Sequence, residues 1–176
     1  SRPATGSFNE CHRESKFLTV TIKQYNRKAL MIRILVSVLT ACSLVSAHAA
    51  LVQYTISFSD VGASLPSSGT GFGTVDYDST AHTLSLSANF SGLTGTTTAS
   101  HIHAATVLPF TGNAGVATTT PSFVGFPLGV VSGSYSSILD LTQASSWNPS
   151  YITAHNNITQ AETDFIVAVN AGQAYW

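Results

Sequence analysis

No lysine or arginine follows Arg33 in this 176-residue chain. All seven basic residues (Arg2, Arg13, Lys16, Lys23, Arg27, Lys28 and Arg33) lie ahead of residue 34. Beyond residue 50 stand the carboxylates Asp60, Asp76, Asp78, Asp140, Glu162 and Asp164, with nothing of opposite charge. A surface without cations cannot neutralise phosphates, which excludes nucleic acid and anionic membranes as partners of that part. It also repels acidic substrates. Cysteine is almost missing: Cys11 and Cys42 both precede the domain deduced below, so no disulfide holds it. No serine sits in a Gly-x-Ser-x-Gly elbow, and Gly133-Ser134-Tyr135 lacks the flanking pattern, which removes the usual hydrolase signature. No internal repeat with a period of roughly 20–50 residues is visible.

What is present begins at the single methionine, Met31. Arg33, an apolar run over 34–45 and Ser46-Ala47-His48-Ala49-Ala50 read as a secretory signal, cleaved after about Ala49. The run is too short for a comfortable transmembrane helix. Leu39-Thr40-Ala41-Cys42 resembles a lipoprotein box, but the apolar run continues past it to Val45, which favours the later cleavage. Residues 1–30 are polar and basic. They read as upstream sequence or an extended leader without a folded unit. Residues 31–49 are the signal and 50–176 the domain. An export signal without disulfides fits a secreted or periplasmic bacterial protein, with no integral membrane span after cleavage.

The domain alternates. Val52, Tyr54, Ile56 and Phe58 interleave with Gln53, Thr55, Ser57 and Ser59, a period-2 strand with one apolar face. Thr70 to Tyr77 forms a second strand, its glycines at 71 and 73 predicting a bulge or close packing. Leu84, Leu86, Ala88 and Phe90 form a third, paired to the second across the turn residues Asp76 to Thr80. A Gly92-Leu93-Thr94-Gly95 turn leads into a His101-Ile102-His103 strand. Residues 106–134 are rich in glycine and proline, with short strands expected at about 114–118 and 128–132. Tyr135 to Leu141 is another strand. Leu141 to Ala144 starts a helical turn that Asn148-Pro149 breaks. Thr159 to Ala171 is the clearest helix, with Thr159 and Glu162 as a capping box and Gly172 as its C-cap. The fold expected is all-β, a Greek-key sandwich or barrel with one short helix near the C-terminus.

These residues resemble the chordin-type (CHRD) domain family, found in many exported bacterial proteins. The likeness lies in Gly73-Thr74-Val75-Asp76-Tyr77-Asp78, in Leu84 to Leu93, and most of all in Thr98-Ala99-Ser100-His101-Ile102-His103-Ala104. Thr159 to Phe165 and Ala171-Gly172-Gln173-Ala174-Tyr175 extend it, so that it covers roughly 51–176. The resemblance implies further strands with Asn, a His-Thr pair and Gly-Gly-Glu-Ile-Arg-Gly after Tyr175, so the domain reads as truncated. It also implies a shape similar to Cu/Zn superoxide dismutase, in which a His-x-His strand ligates copper.

His101 and His103 point the same way on a strand and are the candidate metal residues, for Zn or Cu. They need further donors, and His82, His155, Asp76, Asp78, Glu162 and Asp164 are the candidates. Otherwise the pair bonds backbone carbonyls and hydroxyls on a polar strand face. Asp76 and Asp78 read as turn residues before a calcium site. Glu162 and Asp164 read as first-turn acids complementing the helix dipole, two apart and so not facing each other. No catalytic residue is assigned and no cofactor is established. Two functions follow. One is a non-enzymatic exported module with a protein or cell-surface partner of unknown identity. The other is a metal-binding β-barrel on the histidine pair, with dismutase-like redox chemistry as its only enzymatic form.

Overall fold

A computed structural model of the chain describes residues 23–25, 51–59 and 67–176. The signal segment lies outside the described residues, as does the leader apart from Lys23–Tyr25. The elements are β1 (Lys23–Tyr25), β2 (Leu51–Phe58), β3 (Thr70–Asp78), β4 (Thr83–Ser91), β5 (His103–Ala104), β6 (Gly133–Asp140), α1 (Pro149–Ala154), α2 (Ile158–Asn170) and β7 (Ala174–Tyr175), with a 3-10 turn at Ala144–Ser146. One antiparallel sheet runs β1-β2-β3-β4-β6 and a smaller one pairs β5 with β7. The expected all-β sandwich is therefore present, with helices filling much of its second layer.

The large sheet follows from alternation. Tyr54, Ile56, Phe58, Val75, Leu84, Leu86, Ala88, Tyr135 and Leu139 are buried on one face. The Val, Leu, Ile and Phe side chains among them each contribute about 1.5–3 kcal/mol when fully withdrawn from water. Facing them from the second layer are Ile102, Ala104, Phe123, Trp147, Phe165, Val169 and Trp176. Two aromatic groups pack within this core. Trp176 meets Phe58, Phe123 and Tyr135 edge-on, at centroid distances of 5.6, 5.7 and 6.3 Å. Trp147 stacks on Tyr151 at 5.8 Å and meets Phe165 edge-on at 5.5 Å.

Glycine 73 packs closely rather than forming a bulge. The β3–β4 register runs unbroken from Thr70↔Ser91 to Asp78↔Thr83. A Cβ at Gly73 would lie 2.5 Å from the Ser87 carbonyl oxygen, closer than backbone tolerates. Several local expectations change. Residues 114–118 and 128–132 form no named strand; isolated bridges join His103 to Val116 and Thr118 to Trp147. Asn148-Pro149 starts a helix instead of breaking one. Asn148 is the N-cap, its side chain accepting from the Ser150 N–H, and Pro149 takes the first helical position, where its missing N–H costs nothing. The cap of α2 is Asn157, which accepts from Gln160 N at 2.9 Å, and not Thr159. Gly172 ends α2 at φ +70°, as expected of a C-cap glycine.

Acidic turns fix the connections. Asp78 Oδ1 accepts from Thr80 N and Ala81 N at 2.8 and 2.9 Å, and Asp140 Oδ1 accepts from the Thr142 hydroxyl and N–H at 2.6 and 2.9 Å. The turn role expected for Asp78 is what the structure shows. The Ala81 N–H first, then that of Thr80, holds the Asp78 carboxyl below its usual range; for Asp140 the Thr142 hydroxyl does so first. A folded pKa below the unfolded one stabilises the fold above the unfolded value, near 3.9. That stability is lost as pH falls through the folded value. The Asp78→Asn/Asp140→Asn protein is therefore expected to lose less stability between pH 5 and pH 2 than the parent in urea titrations. An unchanged acid limb would show that these turns do not report on folding.

Candidate functional site

The segment 92–104 is held by hydrogen bonds more than by strand pairing. The chain leaves β4 at Gly92 with φ +70°. Thr97 N donates to Val130 O and Phe123 N to Ser100 O, both at 2.8 Å. The buried Ser100 hydroxyl accepts from Trp176 Nε1 at 2.7 Å. Ile102 N donates to the buried Thr118 hydroxyl at 2.8 Å, and Ala117 N donates to Ile102 O at 2.9 Å. On the other flank, His103 pairs with Tyr175 and Ala104 with Ala174. The histidine segment thus lies between 115–118 and β7. Only His103–Ala104 is regular strand, shorter than the periodicity predicts.

The alternation of faces holds. Ile102 and Ala104 are buried in the core, while His101 and His103 are half-buried on the opposite side. Their rings lie 4.7 Å apart at 53°. The His103 ring stacks on Tyr175 at 4.7 Å and 5°. His103 Nδ1 lies 2.8 Å from Ala114 O. A carbonyl can only accept, so Nδ1 carries a proton, and in the neutral ring the lone pair is then on Nε2. The Tyr175 hydroxyl accepts from Ala114 N at 3.1 Å and lies 3.3 Å from Ala114 O. Together His103 and Tyr175 clamp the 111–116 loop against the small sheet.

Of the candidate further donors, His82 pairs with Glu162 and His155 with Asp164. His82 Nδ1 donates to both oxygens of Glu162, at 2.9 and 3.0 Å, and the Tyr77 hydroxyl donates to Glu162 Oε1 at 2.8 Å. His155 Nδ1 donates to Asp164 Oδ2 at 2.8 Å, and the His155 ring packs at a tilt of 36° against Tyr151. Asp76 stands in the β3 row opposite Gln53 and Ser85. Among the described residues no three His, Cys, Asp or Glu side chains converge on a point.

The Glu162 assembly corrects the expectation of a first-turn helix acid. Glu162 is buried at 6% exposure and faces the sheet. The signal was present: Glu162, Phe165 and Val169 share one stripe of α2, and a carboxylate on a buried stripe requires partners. His82 reaches it because the Asp78 turn places His82 at φ +53° at the end of the hairpin, a conformation in which His is enriched. Burial first, then the bond to Glu162 and its charge, pushes the Tyr77 phenol up to about 12. Burial, then the Asp164 charge, does the same to Tyr151, also to about 12. The Asp164 carboxyl is lowered first by its bond from His155, then by that from Gln160. These two His–carboxylate pairs brace α2 and α1 against the hairpin and each other.

No helix among the described residues is long and apolar enough to cross a membrane. No curated protein and no solved structure matches the chain. The family model of the CHRD domain matches residues 52–176, the whole span from β2 to β7, including the His-Ile-His segment and the α2–β7 junction. The chain belongs to the CHRD domain family.

Proposed function

We propose that this CHRD protein is an exported, non-catalytic interaction module, secreted or periplasmic after cleavage near Ala49. The observation that carries the reading is how its titratable side chains are used. His103 donates Nδ1–H to Ala114 O and stacks on Tyr175, so it holds a loop. Glu162 is committed to His82 and Tyr77, and Asp164 to His155. Groups engaged in bracing the fold are poorly placed to act as acid, base or nucleophile on a substrate. The partner is a protein or cell-surface component without a polyanionic backbone, since residues 51–176 hold no cation.

One observation favours the second reading, a Zn or Cu centre. Metal-bound histidines donate their other ring N–H to a carbonyl or carboxylate, which leaves the ligating nitrogen unprotonated. The neutral His103 ring has that tautomer, with Nδ1–H on Ala114 O, and the His101 ring is 4.7 Å away. The pair fits as half of a four-ligand site.

Metal analysis of the purified full chain after equilibration with micromolar Zn or Cu separates the readings. The module reading expects less than about a tenth of an equivalent, because two imidazoles fall short of the four ligands that structural zinc takes. Near-stoichiometric metal that disappears in the His101→Ala/His103→Ala protein would replace it with the metal reading. Superoxide turnover by the loaded protein would make it an enzyme.

A further inference from the structure

Among the described residues the large sheet ends at β6 on one side, and on the other at β2, which the short β1 covers in part. On one side β2 is paired along its whole length, from Leu51↔Asp78 to Phe58↔Gly71. On the other side β1 covers only its middle, Lys23↔Thr55, Gln24↔Tyr54 and Tyr25↔Gln53. Leu51, Val52, Ile56, Ser57 and Phe58 have no strand on that side among the described residues. Natural edges are protected by lysine, proline, a bulge or an inward charge. The sequence Leu-Val-Gln-Tyr-Thr-Ile-Ser-Phe has neither charge nor proline, and its register with β3 advances one residue at a time without a bulge.

Cleavage near Ala49, part of the proposed function on which this inference rests, would remove β1 with the leader. We infer that the edge of β2 is a strand-acceptor site, and that in the processed protein it is taken antiparallel by β2 of a second copy. β1 shows that the edge accepts an antiparallel strand. The charge distribution selects a second copy. The domain is acidic and cation-free, so most of its faces repel another copy, whereas β2 carries none of its carboxylates. The pattern of β2 is also self-complementary. In an antiparallel pair centred on Tyr54 or Thr55, residues facing each other have the same parity. Val52, Tyr54, Ile56 and Phe58 then extend the buried face, and Gln53, Thr55 and Ser57 the polar one. Such a contact is isologous and closes as a dimer.

The test uses the full chain with a specific protease site inserted after Ala49, cut after folding, with mass read by light scattering over a dilution series. The uncut chain is expected to be a monomer and the cut chain a dimer of twice the domain mass. Gln53→Lys/Thr55→Lys places like charges opposite one another and should weaken the dimer more than about tenfold. Mixing that variant with Gln53→Glu/Thr55→Glu should restore a mixed dimer. Circular dichroism of each variant verifies that it is folded. A cut chain that stays monomeric, an uncut chain already dimeric, or a dimer indifferent to the lysines overturns the inference. Intact mass of the naturally exported product tests the cleavage itself, so a retained leader would count against the export reading alone.

Discussion

Trp147→Ala is expected to lower folding stability by about 4 kcal/mol, the largest loss from any single truncation in the domain. Trp147 is 2% exposed and lies between Tyr151 and Phe165. Deleting the indole leaves a cavity among rings that cannot collapse into it, costing roughly 3–5 kcal/mol. It also removes the donor at 2.8 Å from the Leu141 carbonyl; a stranded buried acceptor costs about 1–3 kcal/mol, less where water enters the cavity. The damage is not local. Thr118 bridges to Trp147 on one side, and its hydroxyl accepts from Ile102 N on the other. The backbone that carries the indole therefore lies one bridge away from the segment bearing His101 and His103, so a shift of residue 147 passes to it. Trp147→Phe keeps ring packing and loses the N–H, with an expected cost of about 1–2 kcal/mol. Urea unfolding followed by circular dichroism measures both. A loss under about 1 kcal/mol for the alanine variant would mean that the second layer does not depend on this aromatic group.

The sequence exposes the sheet readily and the second layer poorly, for a physical reason. Strands β2, β3, β4 and β6 have one wet face and one dry face, so the period of 2 is written directly into Tyr54-Thr55-Ile56-Ser57 and Leu84-Ser85-Leu86-Ser87. The second layer is held by single hydrogen bonds between distant positions. Examples are Trp176 Nε1 to Ser100 Oγ and Thr97 N to Val130 O, for which no periodicity exists. Thus 114–118 and 128–132 look like strands in composition and become bonded loops. At α2 two capping signals overlap two residues apart, Asn157-x-x-Gln160 and Thr159-x-x-Glu162. The tertiary structure decides between them: Glu162 is drawn to His82 and Tyr77, so Asn157 caps the helix. The histidine pair is legible because alternation alone puts both rings on one side. What they bind is not legible, since Ala114 and Tyr175 reach His103 only through the fold.

Glu162 ties the hairpin to α2, and its removal is the second large effect expected. Its carboxylate accepts from His82 Nδ1 at both oxygens and from the Tyr77 hydroxyl. Because the His82 side chain is 48% exposed, the Coulomb part of the pair is screened and the hydrogen bonds dominate. His82→Ala lets water replace the imidazole, so its cost should be only about 1 kcal/mol. Glu162→Ala loses buried methylenes and strands the Tyr77 hydroxyl as well, and should cost about 3 kcal/mol. Glu162→Gln keeps an acceptor for Tyr77 and should cost about 1 kcal/mol. The phenol supplies a readout that packing loss alone would not move. Tyr77 is pushed up to about 12 by burial first and by Glu162 second. A raised phenol pKa stabilises the fold fully below the unfolded value near 10; that stability is lost as pH rises through about 12. In Glu162→Gln the charge is gone and burial remains, so Tyr77 should titrate below the parent but still above an ordinary tyrosine. The alkaline loss of stability should shrink with it. Ultraviolet titration of phenolate formation measures the first and urea midpoints between pH 9 and pH 12 the second. An unchanged Tyr77 titration in Glu162→Gln would show that burial alone sets it, and unchanged urea midpoints for Glu162→Ala that the His82–Glu162–Tyr77 assembly braces nothing.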